Sequence, residues 1–404
     1  MPMGKIIRLS FTGDVMCYEE QKNVARKNGY FDFNPVFVGV KETLKNVDYL
    51  CGNLETPIVC SREKSSAARF FSPPAFLDAL KQVGFNFFSL ANNHALDAGE
   101  KGILSTIKAM EDRQLAYAGV CADERCANEI LVRDVNGVKI AFLSYTYGAN
   151  SEHHKIILDA KKMYMLNLIR KQPLEINYER PPSKSIFYRG IRKILRKIGA
   201  WPKDINRGLE PVLDNASACD IANEESNALV DNMKKQIERA KKKSDLVVMC
   251  LHIGGQYNSI LGTYTKYIFD QLNKTDVDLV IGNHPHCILS YKYSKKFFAY
   301  SLGNFSYTPG SPWEIKDVYA DYSILLNFWI DSETKKIRNV SCQLLVVKTD
   351  DSGYSCTYSA YERLLSEHDS KIRKKLEVEY RKAVERFLGH KVKHIEAEYF
   401  VEKN

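Results

Sequence analysis

The chain has 404 residues, of which 45% are hydrophobic and 26% are charged, and it carries a formal net charge of +9. This is the composition of an ordinary globular protein. Its longest apolar runs have the length of strands, which excludes the ~20-residue span of a transmembrane helix. The first ten residues lead into a strand without the apolar region of a signal peptide, so we expect a cytoplasmic protein, with a peripheral position at the inner membrane face as a further option.

The 10 cysteines do not form a CxxC pair. Thiols are kept reduced in the cytosol, where disulfide frameworks are rare. We therefore expect these cysteines to be small buried hydrophobic residues and not a disulfide framework.

Predicted strands and helices alternate along the first half of the chain, and polar residues follow each strand. The strands, with the polar residues that follow them, are 6–11 with Asp14, 48–51 with Glu55, and 85–90 with Asn93 and His94. Helical spacing of apolar residues predicts helices over 36–47, from Pro74 onward, and over roughly 100–113.

The second half repeats this pattern. Predicted strands and the residues that end them are 138–145, then 245–251 with His252, 277–283 with His284 and His286, and 297–302 with Asn304. A helix is predicted over 263–273. Strands separated by helices predict an α/β protein with layered sheets, whose site lies beyond the carboxyl ends of the strands.

His284 and His286 flank Pro285 at the end of an apolar run. Residues two apart can direct both imidazoles into the same cleft, and imidazole is the commonest protein ligand for zinc, iron and related ions. The structural alternative is a pair of hydrogen-bonded loop histidines. Because carboxylates, amides and imidazoles recur at five predicted strand ends, the pattern favours one metal site.

Six motifs follow one another in the chain: Gly13-Asp14, Asn53-Leu54-Glu55, Asn92-Asn93-His94 with Asp97 and Gly99, His252-x-Gly254, His284-Pro285-His286, and the run from Tyr300 to Phe305. In this order they resemble the CapA family of capsule and poly-γ-glutamate synthesis proteins, which is similar to the calcineurin-like metallophosphoesterases. The resemblance covers about residues 5–330. It implies a four-layer α-β-β-α sandwich of the metallophosphoesterase type with a metal centre at the strand ends.

The resemblance also implies a site with two divalent metal ions, either manganese, iron or zinc. Asp14 and His286 would hold one ion, and Asn93, His252 and His284 the other. Glu55 would occupy the bridging position, and His94 would act beside the metals as an acid or a positioning group. Such a mixed shell of oxygen and nitrogen ligands suits these metals, and two adjacent ions can activate a water for hydrolysis.

Four positions depart from the family pattern. Met16 stands where the phosphoesterases have a second ligand, a histidine, so we expect the metal held by Asp14 and His286 to bind more weakly. Ile253 and Gln256 replace a tryptophan and a glutamate, and Leu289 replaces a glutamine. These changes imply a different substrate or weakened catalysis.

Four segments are predicted: 1–150 as the first half of the metallophosphoesterase-like domain, 151–215 as a basic insertion, 216–345 as the second half, and 346–404 as a C-terminal helical extension. Residues 151–210 contain 14 Lys and Arg against 6 Asp and Glu. Within them, residues 187–201 predict a basic amphipathic helix, which can bind an anionic membrane surface or an acidic partner. The alternative is a lid helix that packs on the domain.

Three function classes remain open. The first, which we favour, is a metal-dependent hydrolase of a phosphoester or an acidic polymer in capsule or exopolymer biosynthesis. The second is a non-catalytic component of a polymer synthesis or export assembly, which Met16 and Gln256 favour. The third, a nucleic-acid phosphodiesterase, is weaker because the basic residues lack interleaved stacking aromatics. Nothing in the sequence indicates an oligomeric state.

Overall fold

A computed structural model describes residues 5–60, 70–173, 218–310 and 318–404. It shows a mixed α/β protein with two mixed β-sheets, so the predicted α/β class is confirmed. The predicted amphipathic helix over 187–201 lies outside the described residues. No helix in the described part of the chain is both long and apolar enough to cross a bilayer.

The strands of the described ranges are named here in chain order. They are β1 (Ile6–Val15), β2 (Tyr49–Leu54), β3 (Phe85–Ser89), β4 (Ala116–Ala118), β5 (Leu131–Val135), β6 (Val138–Thr146), β7 (Leu246–His252), β8 (Leu279–Asn283), β9 (Ile288–Tyr293), β10 (Phe297–Leu302), β11 (Asn304–Ser306), β12 (Tyr322–Asp331), β13 (Ile337–Thr349), β14 (Ser355–Ser359) and β15 (Tyr399–Phe400).

The α-helices are named in the same way. They are α1 (Glu19–Ala25), α2 (Asn34–Phe37), α3 (Lys41–Leu44), α4 (Pro74–Val83), α5 (Gly99–Asp112), α6 (Ser151–His154), α7 (Ala218–Ile221), α8 (Glu224–Lys241), α9 (Thr263–Asn273), α10 (Ala360–Leu365) and α11 (Ser370–Leu388). Short 3-10 turns cover Val38–Val40, Cys126–Asn128 and Ala160–Met165.

Each sheet combines a parallel part with antiparallel edges. The first has the order β14-β13-β12-β1-β2-β3-β4, with β11 beside β1 and β15 beside β13. Its strands β1 to β4 are parallel. The second has the order β5-β6-β7-β8-β10-β9, and β6, β7, β8 and β10 are parallel. Parallel strands end at the same edge of a sheet, so the polar residues that follow them are gathered there.

One hydrophobic cluster contains side chains from both sheets. The rings of Phe87 and Phe142 lie 4.5 Å apart, and those of Phe297 and Phe328 lie 5.1 Å apart, so the inner sheet faces meet. A second cluster joins the first sheet to α4, and a third joins the second sheet to α8 and α9. Burial of these apolar surfaces is the main force that holds the layers together.

Two predicted elements differ in the structure. The predicted break after the first strand is wrong: β1 continues to Val15, because Asp14 pairs with Asn304 of β11. The predicted helix over 36–47 is divided into α2, a 3-10 turn and α3. Gly39 lies at the division, where an added Cβ would come within 2.1 Å of the Tyr358 ring. Close packing against β14 therefore interrupts the helical pattern.

The expectation that the cysteines are buried thiols is wrong for three of them. Cys121 and Cys126 form a disulfide in the loop between β4 and β5, where the turn around Asp123 places their Cα atoms 6.0 Å apart. Cys60 is an exposed thiol.

The C-terminal residues pack on both sheets through α11. Asp369 caps its N-terminus by accepting from the backbone N–H groups of Lys371 and Ile372 at 2.8 and 3.0 Å. Tyr380, Val384 and Phe387 of this helix belong to the cluster that joins the sheets. Charged residues of the same helix, among them Lys371, Arg373 and Lys375, are exposed to solvent.

Candidate metal centre

The six predicted metal ligands converge at the carboxyl ends of strands from both sheets. None has more than 4% of its surface exposed. Asp14 lies in β1, Glu55 follows β2, Asn93 follows β3, His252 ends β7, and His284 and His286 follow β8. Residues that are far apart in the chain thus form one buried polar cluster.

Within this cluster, two groups of three ligand atoms can each hold a metal ion. One contains Asp14, Glu55 and His286, and the other contains Glu55, His252 and His284. In each group the ligand atoms lie within 4.8 Å of one another. Glu55 belongs to both groups: its Oε1 lies 3.5 Å from Nε2 of His252 and 3.7 Å from Nε2 of His286.

Asn93 extends the second group. Its Oδ1 lies 2.8 Å from Nε2 of His252, so this oxygen also points into the cluster. The group that contains His252 therefore has four candidate ligands and the group that contains Asp14 has three. This difference agrees in direction with the expected weaker binding at Asp14 and His286, which stays a prediction.

The residues present fit divalent metal ions. Both carboxylate oxygens of Glu55 are buried and accept no hydrogen bond from the described residues, and Nδ2 of Asn93 is likewise without a partner among them. A buried carboxylate without hydrogen bonds costs several kcal/mol unless a counter-ion compensates it. Carboxylate, amide oxygen and imidazole are also the donors that manganese, iron and zinc accept.

Two asparagines orient the candidate ligands. Nδ2 of Asn53 donates to Oδ1 of Asp14 at 2.7 Å. Oδ1 of Asn304 lies 3.0 Å from Nδ1 of His286, and its Nδ2 donates to the carbonyl oxygen of the same histidine at 3.1 Å. Such partners fix which imidazole nitrogen faces a metal. Both asparagines lie within the ordered motifs, Asn53 two residues before Glu55 and Asn304 directly after Gly303, but no function was predicted for them.

The histidine turn has an unusual backbone. His284 has φ +104° and His286 has φ +54°, in the left-handed region that residues other than glycine rarely adopt. The backbone N–H of Tyr257 donates to the carbonyl of Pro285 at 2.8 Å, and the N–H of His284 donates to Oδ2 of Asp14 at 3.2 Å. Backbone strain of this kind persists only where surrounding contacts hold it, and it is concentrated at functional sites.

Burial and neighbouring charges shift the pKa values of His284 and His286 in opposite directions. Burial, together with the charges of His252 and His286, holds the pKa of His284 well below its ordinary value, so this imidazole is neutral and able to bind a metal. Burial would also lower the pKa of His286, but Glu55 and the hydrogen bond and charge of Asp14 outweigh it and raise this pKa to about 9. For Asp14, burial raises the pKa, but contacts with His286 outweigh it, and the pKa is lowered.

These shifts predict a pH-dependent stability of the metal-free protein. The pKa of His286 is about 9 in the folded chain, above its ordinary value of 6.5. Protonated His286 therefore adds up to about 3 kcal/mol to the free energy of unfolding. This stabilisation is complete below pH 6.5 and is lost as the pH rises through 9. The lowered pKa of Asp14 acts oppositely, because its contribution is lost when acid protonates it. Urea midpoints in chelator at pH 6, 7.5 and 9 should fall for wild type.

In that experiment His286→Gln should give a flatter profile between pH 6.5 and 9. The exposed His390→Gln is the matched control and should follow wild type. Equal slopes for wild type and His286→Gln would show that His286 does not carry the effect.

His94, the predicted acid or positioning group, lies beside the two metal-capable groups and belongs to neither. Its Nδ1 is 2.8 Å from Oδ2 of Asp97, and its ring centroid is 4.3 Å from that of Phe70. Burial lowers its pKa, but the charge and hydrogen bond of Asp97 outweigh burial and raise it. The function of His94 as an acid or positioning group stays a prediction.

Met16 lies in a buried cluster with Tyr18, Phe70, Tyr257 and Tyr307. Its sulfur is 3.8 Å from the Tyr18 hydroxyl group. The side chain of Met16, where a ligand was expected, thus packs in a buried, mainly aromatic cluster.

We expect His284→Ala to remove about one equivalent of metal, because alanine offers no ligand in place of the imidazole. Protein purified without chelator is incubated with manganese or zinc, desalted and measured by mass spectrometry. The exposed His368→Ala is the control and should retain the wild-type content. Wild type that carries no metal after this treatment would show that the site assignment is wrong.

This chain is similar to known proteins over a range that includes the candidate ligands. A family model described as "Bacterial capsule synthesis protein PGA_cap" matches residues 8–308, a range that contains all six candidate ligands. The Capsule biosynthesis protein CapA of Bacillus anthracis is 25% identical over 310 residues, which are 75% of this chain and 60% of that protein. The PGA biosynthesis protein CapA of Bacillus subtilis (strain 168) is 22% identical over 311 residues, 76% of this chain and 64% of that protein.

The chain spans less than two thirds of the length of these two relatives. The Uncharacterized protein y4uA of Sinorhizobium fredii (strain NBRC 101917 / NGR234) is similar over 70% of this chain, with 25% identity. The family model covers well over half of the chain, and the resemblance predicted from the ordered motifs is confirmed. The chain therefore belongs to the PGA_cap family of bacterial capsule synthesis proteins, which includes the CapA proteins.

Proposed function

We propose that the chain is a metal-dependent hydrolase in capsule or exopolymer biosynthesis of the poly-γ-glutamate type, acting on a phosphoester or an acidic polymer. The observation that carries this proposal is Glu55, which is shared by two buried metal-capable groups and has no hydrogen-bond donor among the described residues. A purely structural buried carboxylate would be hydrogen-bonded. Family membership supports the biosynthetic context.

The proposed fold is a four-layer α-β-β-α sandwich of the metallophosphoesterase type. The support is that one apolar cluster joins the two sheets, while separate clusters join each sheet to its own helices. In this arrangement the carboxyl ends of strands from both sheets lie at one cleft.

In the proposed site, Asp14 and His286 would hold one divalent ion and Asn93, His252 and His284 the other, with Glu55 common to both sets. Manganese, iron or zinc would lower the pKa of a water and stabilise negative charge on the substrate. Neighbouring side chains would hold the ligands in place: Asn53 orients Asp14, and Asn304 orients His286. Burial excludes bulk water and strengthens these interactions.

His94 supplies the proton in this proposal. Its Nδ1 is directed to Asp97, so Nε2 is the nitrogen that can donate to the leaving group. The charge of Asp97 stabilises the protonated imidazole. No metal ligand has to leave its position for this step.

The test is a hydrolysis screen with protein loaded with manganese or zinc. Substrates are a generic phosphodiester, a generic phosphomonoester and poly-γ-glutamate, each measured with and without chelator. Turnover that is lost with chelator and restored by metal supports the proposal. Absence of turnover in a protein shown to carry metal would overturn it.

The second candidate is a non-catalytic component of a polymer synthesis or export assembly. It is favoured by Met16, which lies in a buried, mainly aromatic cluster where a ligand would be expected, and by Gln256, which stands in place of a glutamate. This candidate predicts metal binding without turnover, so the same screen separates it from the hydrolase.

A peripheral membrane position through residues 187–201 is also proposed, with an acidic partner as the other option. We expect cosedimentation with anionic vesicles at low salt and none with neutral vesicles, because each Lys or Arg near an anionic bilayer contributes ~1 kcal/mol. Changing Arg192, Lys193, Arg196 and Lys197 to Glu should abolish binding without altering metal content. If these changes instead lower the melting temperature or the hydrolytic rate, the segment is a lid.

A further inference from the structure

A third buried group of titratable side chains lies beside the metal centre. It contains His94, Asp97 and His154, whose ligand atoms lie within 4.8 Å of one another. His154 ends α6, in the segment that the sequence analysis assigned to the basic insertion. No function was predicted for His154, because nothing in its local sequence marks it.

Asp97 links the two histidines. Its side chain is 0% exposed, with Nδ1 of His94 2.8 Å from Oδ2 and Nδ1 of His154 2.7 Å from Oδ1. The backbone N–H of Phe70 also donates to Oδ2 at 2.6 Å. A buried carboxylate needs such partners, because an unpaired one is strongly destabilising.

Oδ2 of Asp97 accepts hydrogen bonds from Nδ1 of His94 and from the Phe70 N–H. His154 approaches the other oxygen, Oδ1, at 2.7 Å as a close polar contact outside hydrogen-bond geometry. A carboxylate can only accept, so Nδ1 of His94 carries a proton. The opposite nitrogen, Nε2, is then left for the substrate.

The short helix α6 that carries His154 has an unusual backbone at each end and packs against α5 through the residues that follow it. The residues that flank α6, Asn150 and Lys155, have φ +50° and +59°. Leu158, shortly after the turn, packs with Ile103 and Ile107 of α5. The turn is thus anchored to the helix that follows the loop of His94 and Asp97.

We propose that His154 is a positioning residue: it holds Asp97, and Asp97 accepts from Nδ1 of the protonated His94 ring, so that the Nε2–H is directed to the leaving group. This inference rests on the proposed hydrolase function. Loss of such an outer partner typically costs 10–100-fold in activity. Because His154 acts through His94, its loss should matter most for substrates whose leaving group needs a proton.

The kinetic test compares His154→Ala, His94→Ala and the double variant on two phosphodiesters, one that releases p-nitrophenolate and one that releases an alkoxide. We expect His154→Ala to lower kcat about 10-fold or more on the alkyl ester and much less on the nitrophenyl ester. The double variant should be no slower than His94→Ala. His154→Asn, whose amide can donate to Asp97, should recover part of the rate, and the exposed His368→Ala should match wild type.

Two further measurements separate this inference from the proposed function. Nitrogen NMR of labelled histidine should show a protonated, hydrogen-bonded Nδ1 of His94 in wild type and its loss or averaging in His154→Ala, whether or not the protein is a hydrolase. Absence of turnover in wild type would then overturn the function alone. Equal rate losses on both esters, or an unchanged Nδ1 signal of His94, would overturn the positioning inference. Loss of a metal equivalent in His154→Ala would show that this group is a metal site instead.

Discussion

Glu55→Gln should abolish binding of both metal ions and lower turnover by about 10²–10³-fold, the range seen when one preorganised charge-stabilising group is removed from an active site. The reason is that Glu55 is the residue common to the two metal-capable groups. An amide offers one neutral oxygen and cannot bridge two cations. Metal analysis and the phosphodiester rate measure the two effects.

A thermodynamic readout accompanies this prediction. A ligand at 100 times its Kd stabilises the folded state by about 2.7 kcal/mol, so metal should raise the Tm of wild type and leave that of Glu55→Gln unchanged. The control is Glu42→Gln, an exposed residue whose Oε2 is 3.3 Å from Nζ of Lys45. A Glu55→Gln variant that keeps two equivalents of metal would refute the shared-ligand arrangement.

Gly13→Ala should be the most destabilising single-methyl addition near the site. A Cβ at this position would lie 1.9 Å from the carbonyl oxygen of Gly303, which accepts the backbone N–H of Asp14 at 2.8 Å. A backbone atom cannot move aside as a side chain can, so β1 would have to separate from its neighbour. We expect a loss of about 3 kcal/mol or more in the free energy of unfolding, measured in urea with chelator.

The matched control for this variant is Gly389→Ala. Gly389 ends α11 with φ +75° and has no atom within 4 Å of an added Cβ. Only its backbone conformation opposes the substitution, so the cost should be about 1 kcal/mol. Gly13→Ala should also lose the metal that Asp14 holds, while Gly389→Ala keeps it. Similar losses in the two variants would contradict the steric argument.

The sequence by itself determined the α/β class and the residues at the strand ends. Apolar runs of strand length alternate with helical spacing, and both patterns are local properties of the chain. The residue types that end the strands, Asp14, Glu55, Asn93 and the histidines, already indicated metal chemistry. Their order along the chain was sufficient to predict the family, which the family match confirms.

Only the tertiary structure decided how these residues meet. The N–H of His284 reaches Oδ2 of Asp14 across 270 residues, and the sharing of Glu55 depends on two sheets packed face to face. The continuation of β1 through Asp14 depends on pairing with β11. His154 could not be predicted for the same reason: its partner Asp97 precedes it by 57 residues, and no local pattern records a contact made between distant segments.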